Sequence, residues 1–540
     1  MKISNVLKAV AVAGVLAFAS LGAAQAVTLN TMNGSEPGSI DPHKASGDWE
    51  NRIIGDYIEG LVAEDALAKP IPGQAESWDI SEDGLVYTFH LRDGIQWSDG
   101  TPVTAGDFEF AFRRLFDPAT ASEYAYLQYP IKGGSEINDG SMPLDSADFG
   151  VKVIDDKTLE ITLEGPTPYF LEALTHYTAY PVPKHVVEAK GDDWTKVENV
   201  VGNGPFKIVE WVPGNYIKSV KSDTYYGAAD IKIDEVYYYV QDDLAAAFNR
   251  YRAGEYDILT DLPFDQQAFV KENLPGEGRF APFAGIHYYV INQEKEQFKD
   301  VNVRKALSIS INREIIGPDI WGSGEPPAYG WVPPGTGNYE GVELYTPDYA
   351  DLPYEQRVEE AKQLMAAAGY TPENPLKLQI RYNTNDNHQR LAVAIAAMWQ
   401  EIGVQAELFN AETPVHYDAL RAGDFDVGRA GWLLDYSDPS NTLELLKTGT
   451  KQADGKINWG NNYGRYSNAE FDKLLDQAAA ESDLAARAKM LGEAEKIAMD
   501  EFGAIPLAYY LAANVVKPSV QGFEDNPKDI HRTRWLTKTE

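Results

Sequence analysis

The stretch RAGWLLDYSDP (429–439) ends an apolar run in an acid. Gly431, Trp432, Leu433 and Leu434 read as interior, Asp435 follows at once, and Asp438 stands just before Pro439. A carboxylate leaves water only when it is paired or hydrogen-bonded. Asp435 is therefore either an ordinary residue of a turn-rich segment or a group that awaits a cation from outside the chain.

Other residues that could do chemistry are scattered. The eight histidines show no metal-ligand spacing, and there is no HExxH. There is no cysteine nucleophile, no GxSxG elbow and no phosphate-binding glycine loop. NTNDN (383–387) has the oxygens of a calcium loop but lacks its turn glycine and distant glutamate. With 82 acidic residues, no particular carboxylate pair stands out as catalytic. The reading is a protein that is not an enzyme and that uses no cofactor and no metal.

The elements that must position Asp435 are mixed. LVYTFHLR (85–92), EVYYYV (235–240) and HYYVIN (287–292) read as strands, and Asp83-Gly84 reads as a hairpin turn before the first of them. Val358, Ala361, Leu364, Met365 and Ala368 form a helical stripe stopped by Gly369. Leu391, Ile395, Met398 and Ile402 form another, stopped by Gly403, and the Met and Trp of these stripes are expected in the core. Ser467 and Glu470 read as a capping box. Interleaved strands and helices imply an α/β class with more than one lobe.

The whole chain narrows the setting. It has 540 residues, 44% hydrophobic, a formal charge of −35 and no cysteine. Such acidity repels phosphate backbones, so nucleic acid is not expected as a partner. Lys2 and Lys8, the apolar run 9–19 and the small-x-small site Ala24-Gln25-Ala26 predict a secretory signal peptide over 1–26. The missing cysteine argues against a lipid anchor and against disulfides at an oxidising destination.

Several strings carry a resemblance: NGSEPGSIDPHK (33–44), the stretch 76–118 from ESWDISEDG to RRLFDP, VGNGPFKIVEWVPGNYI (201–217), RYRAGEYDI (250–258), FKDVNVRKALSISINREII (298–316), NTNDNHQRLAVAIAAMW (383–399) and RAGWLLDYSDP. In this order the chain resembles the extracellular solute-binding proteins, family 5, of ABC transporters, and among them the oligopeptide binders. The resemblance implies an α/β, two-lobed periplasmic binding protein of type II, cluster C-like, with an extra third domain. Residues 27–58, 184–284 and 512–540 would form lobe I, 59–183 the extra domain and 285–511 the other lobe. It implies a periplasmic monomer that captures short peptides and delivers them to an ABC permease complex in the inner membrane, with a murein peptide, an opine or an oligosaccharide as the alternative ligand.

The same resemblance supplies candidate roles. Asp435 would hold the α-ammonium of the ligand. Gly431 would let backbone approach, and Trp432 would wall a pocket. Tyr124 would touch the ligand near its amino end, while Arg429 and His388 would be cations open to its carboxylate. Tyr288 and Tyr510 would line pockets. The chain departs from the family pattern at Val290, Thr413 after Glu412, Leu420 beside Arg421, and Leu433, which bears on side-chain preference and carboxylate recognition.

Overall fold

The computed structural model describes residues 26–371, 373–451 and 457–539. The expected signal peptide lies, but for Ala26, outside the described residues.

One ten-stranded mixed sheet carries the molecule. Its strands are β1 (Thr28–Gly34), β2 (Phe206–Val212), β3 (Tyr216–Lys221), β4 (Glu235–Val240), β5 (Ile258–Leu259), β6 (Gly278–Ile291), β7 (Leu376–Asn383), β8 (Val404–Ala411), β9 (Val427–Leu433) and β10 (Ile505–Val516). They lie in the order β8-β7-β9-β6-β10-β5-β1-β4-β3-β2. β6 and β10 pair antiparallel along most of their length, but the register breaks between Pro282 and Ile286. At that break the Ala284 N–H donates to the Pro527 carbonyl at 2.7 Å, and its carbonyl accepts from Leu434 N–H at 2.9 Å. A separate four-stranded antiparallel sheet (75–80, 86–91, 158–162, 151–155) packs on the helix Ala105–Phe116.

The apolar cores follow this division. One gathers residues between Leu61 and Ala179. Another draws on Leu29–Ile58, Tyr177–Ile258 and Val516–Leu536, beside a smaller one around Phe248 and Val270. Two more cover opposite faces of the sheet between Ile286 and Tyr509. A chain that lacks disulfides holds itself with such cores because its length permits several large ones.

The local expectations largely match. The strands at 86–91 and 235–240 form, and Gly84 turns the first hairpin with φ +70°. The two stripes become the helices Tyr354–Ala367 and Asp386–Gln400, with Gly369 and Gly403 past their ends at φ +88° and +84°. Met365 and Trp399 are wholly buried core residues. The capping box is corrected: the cap is Asn468, whose side chain accepts from Glu470 and Phe471 N–H, while Ser467 bonds Thr448. Asn offers the same short acceptor as Ser one position later.

Candidate functional site

Strand β9 delivers the site. Alternate residues of a strand face opposite sides. Arg429 pairs with Tyr289 and Gly431 with His287, so these share one face, while Ala430 and Tyr288 share the other. The chain then leaves the sheet, and Asp435 follows. The result is two cavities with no lining residue in common. One of about 550 Å³ surrounds Asp435, with Trp432, Tyr126, Tyr169 and Asn441 in its wall. The other, of about 850 Å³, surrounds Arg429, with His287, His388, Tyr510 and Leu433.

The two acids of the opening segment part ways. Asp438 is wholly buried and closed by Arg487, which donates to both its oxygens at 2.7 and 2.8 Å. Ser440 N–H and hydroxyl and the Asn338 amide complete its shell. Asp435 has no ion pair among the described residues; Asn441 and the Tyr126 hydroxyl stand beside its carboxylate and favour its ionised form. Asn441 Oδ1 also accepts from Trp432 Nε1 at 2.7 Å and from Asp435 N–H at 3.3 Å, so one amide fixes the pocket wall and the anchor together. Tyr436, the next residue, stacks on Tyr169 at 4.0 Å and holds the loop against the region of the four-stranded sheet.

Burial dominates the Asp435 environment and pushes its carboxyl up to about 6. Only the ionised form attracts an ammonium. Affinity for a free-amine ligand is therefore expected to be flat above pH 7 and to fall about tenfold per pH unit below 6. Titration calorimetry between pH 7.5 and 4.5 checks this, and an unchanged affinity at pH 5 rules out the ionised-Asp435 anchor.

Arg429 is its opposite. It is 6% exposed, and among the described residues no carboxylate forms an ion pair with its guanidinium. Its Nη2 donates to His287 Nδ1 at 2.9 Å and to the Tyr510 hydroxyl at 3.4 Å. His287 Nε2 faces Glu325 at 3.4 Å, and its ring stacks on Tyr510 at 3.7 Å. Burial and Arg429 both hold His287 toward its neutral form, against Glu325. A neutral ring with an accepting Nδ1 carries its proton on Nε2, so Glu325, His287 and Tyr510 orient the guanidinium without neutralising it.

Not every expected residue arrives as expected. Tyr124 stacks on Tyr126 at 5.7 Å and on His176 at 5.8 Å, near enough to Asp435 that its carboxylate helps to raise the Tyr124 hydroxyl, while Tyr126 stands in the wall of the Asp435 cavity itself. His388 is not a cation: burial, with Arg429 nearby, pushes it down to about 3. Its Nδ1 faces the Asn383 carbonyl at 3.3 Å, which only accepts, so in the empty cavity Nε2 is left as an acceptor. Tyr288 is 2% exposed and packs on Trp331 in the core, because strand alternation turns it from the face of His287. Gly431 is tight: a Cβ there would stand 2.6 Å from the Tyr510 hydroxyl and 2.9 Å from Arg429. The NTNDN segment goes into a helix start, where the Asn385 side chain accepts from Asn387 and His388 N–H.

The departures also find places. Leu420 and Val290 are buried. Arg421 pairs with Asp418 near the surface, Leu433 is 40% exposed beside Arg429, and the Thr413 side chain lies outside the described residues. His287, Glu325 and Tyr126 were not singled out from sequence. The one signal for Tyr126 is its place two residues after Tyr124 in SEYAYLQY.

Two lobes sharing a sheet, with Arg429 in a cavity between them and Asp435 in a second cavity against the region of the four-stranded sheet, define a ligand-capturing protein of the two-lobed binding class. The chain belongs to the bacterial extracellular solute-binding proteins, family 5, whose middle region it matches over residues 69–454. It is 40% identical to the periplasmic oligopeptide-binding protein OppA of Escherichia coli (strain K12), over 95% of this chain and 92% of that protein. It is similar to a solved structure of the periplasmic murein tripeptide binding protein MppA in its unliganded open form, with TM-score 0.84, 35% identity and coverage of 95% and 98%. Against Haemophilus influenzae OppA in complex with the peptide RPPGFSPFR the TM-score is 0.74, at 36% identity and coverage of 96% and 99%.

Proposed function

We propose that this chain is the periplasmic solute-binding component of an ABC importer and captures short peptides between two lobes for delivery to the inner-membrane permease. The observation that carries the reading is the pair of unmatched charges, Asp435 at one end of β9 and Arg429 toward the other. A zwitterionic peptide brings an ammonium to the first and a carboxylate to the second. At about 3.3 Å per residue, the four strand steps from Arg429 to Leu433 span about 13 Å, and the turn to Asp435 adds to that. Allowing for side-chain reach, that suits an extended ligand of roughly three to five residues.

Backbone pairing to the ligand gives affinity without side-chain choice. The protein does no chemistry, needs no cofactor, acts as a monomer and binds no nucleic acid; the signal peptide is removed after export. Among the described residues no helix is long and apolar enough to cross a membrane. Lobe I comprises 27–58, 184–284 and 512–540, the extra domain 59–183 and the second lobe 285–511. The register break around 282–286 serves as the hinge, since β6 and β10 run through both lobes. The higher likeness to an unliganded open form than to a peptide complex supports an open arrangement.

Mass spectrometry of material released on denaturing the purified protein tests the ligand. A mixture of short peptides with free amino ends is expected. A single opine, oligosaccharide or other non-peptide mass overturns the peptide reading and leaves the family standing.

A further inference from the structure

The cavity around Asp435 is not walled by the ten-stranded sheet alone. Trp432, Tyr436 and Asn441 come from the segment that carries the anchor, whereas Tyr126 and Tyr169 come from the body of the four-stranded sheet, whose core holds their neighbours Ala125 and Phe170. Those two tyrosines stand on firm ground. Phe170 is wholly buried and meets Tyr87 edge-on at 4.9 Å. Gln128, also wholly buried, donates from Nε2 to the Ala173 carbonyl at 2.8 Å, which ties the turn Ala125–Gln128 to the short helix Phe170–Ala173. On the opposite side the Asp438–Arg487 pair and the Ser437 hydroxyl, which accepts from Gly337 N–H at 2.8 Å, fix the turn that presents Tyr436. Between these supports Tyr169 and Tyr436 lie face to face, 4.0 Å apart and 9° from parallel.

What the stack separates is a second cavity. It has about 760 Å³, is lined by Glu172 and Ser437 among others, and reaches Pro527. It shares no lining residue with the Asp435 cavity, although Tyr169 and Tyr436 line the one while Glu172 and Ser437, just after them in the chain, line the other. The paired rings are a partition. Without them the two cavities and their water would join behind Asp435.

We propose that Tyr169 is a positioning residue for ligand capture: through its stack on Tyr436 it seals the back of the Asp435 cavity and keeps the anchor out of water. The proposal rests on the peptide reading above. A cation pairs more strongly with a desolvated carboxylate than with a solvated one. Burial is the main cause of the raised Asp435 carboxyl, with Asn441 and Tyr126 acting against it. The other groups on this cavity are Tyr126, kept neutral by burial and by Asp435, Lys447, which pairs with Asp476 at 2.7 Å, and Glu444, itself raised by burial. Tyr124, near Asp435 from the same body as Tyr126, is likewise neutral. Opening the stack therefore returns the Asp435 carboxyl from about 6 toward 3.8.

Titration calorimetry on the full mature protein between pH 7.5 and 4.5, with trialanine and its N-acetyl form, tests it in the parent, Tyr169→Phe, Tyr169→Ala and Tyr436→Ala. The parent is expected to lose trialanine affinity below about pH 6. Tyr169→Phe keeps the stacked ring and is expected to follow the parent. Tyr169→Ala is expected to bind trialanine about tenfold weaker at pH 7.5 and to hold that affinity down to about pH 5, because its carboxylate stays ionised. Tyr436→Ala opens the same contact from the other side and is expected to show the same shift, so the test stands if one alanine variant does not fold. The N-acetyl form has no ammonium; its profile reads what Glu444 contributes and is expected to be the same in every variant. An alanine variant that binds weakly yet still loses affinity below pH 6 has lost structure rather than desolvation, which overturns the proposal. So does a Tyr169→Phe that behaves as Tyr169→Ala does, or failure of both alanine variants to fold, which makes the stack purely structural. Each of these leaves the peptide reading intact. No binding of trialanine by the parent removes that reading and the proposal with it.

Discussion

Replacing Asp435 by Asn is expected to weaken a free-amine tripeptide by about 3–5 kcal/mol, a loss of roughly two to four orders of magnitude in affinity. The N-acetyl form, which has no ammonium, is expected to change by less than about threefold. The acid is desolvated and has no ion pair among the described residues, with the neutral Asn441 and Tyr126 beside it. Asn keeps the shape and loses the charge, so the test isolates the ion pair. Calorimetry with trialanine and its N-acetyl form reads both values, and equal losses for the two ligands would sink the assignment. The empty protein should respond in the opposite direction. Its carboxyl titrates near 6 against 3.8 unperturbed, so the folded state holds the extra proton between those values and stability falls as pH rises through them. That penalty is complete above pH 6, and the Asn variant is expected to be more stable there by about 1–3 kcal/mol.

Asp438→Asn should do the reverse. It leaves Arg487, 2% exposed, without its only counter-ion among the described residues. Breaking a buried pair at one partner costs about 3–5 kcal/mol, and the expected reading is a melting temperature lower by roughly 5–10 °C. The pair also anchors the turn after β9, since Ser440 and Asn338 bond the same carboxylate. Peptide affinity should therefore fall only as far as the turn loosens. Replacing both partners by apolar residues, Asp438→Leu with Arg487→Met, is expected to cost less than either single change. A single variant that melts within a degree of the parent means the pair contributes nothing net.

These two acids, three positions apart, show where sequence reading stops. The turn-rich composition and the apolar run before it were legible, and so was the oddness of an acid in that place. Which acid carried a partner was not. Arg487 is 49 residues away on the helix Leu484–Asp500, and only the packing of that helix against the loop brings it to Asp438 rather than to Asp435. Long-range pairing leaves no local trace.

The same holds along the strand. The 287–292 stretch announced a strand, yet its period of two does not say which face meets the cleft. The resemblance offered Tyr288 for a pocket, yet it lies in the core, while its neighbour His287 orients Arg429. The resemblance offered His388 as a cation, but a histidine's charge depends on solvation and tautomer, which the fold sets. By itself the sequence determined the α/β class, the helices with their glycine stops, the acidic surface and the family strings, because these follow from local periodicity, composition and order. Tertiary structure alone decided which charges are matched and which side of β9 each residue serves, because those depend on groups that are distant in the chain and meet only across packed elements.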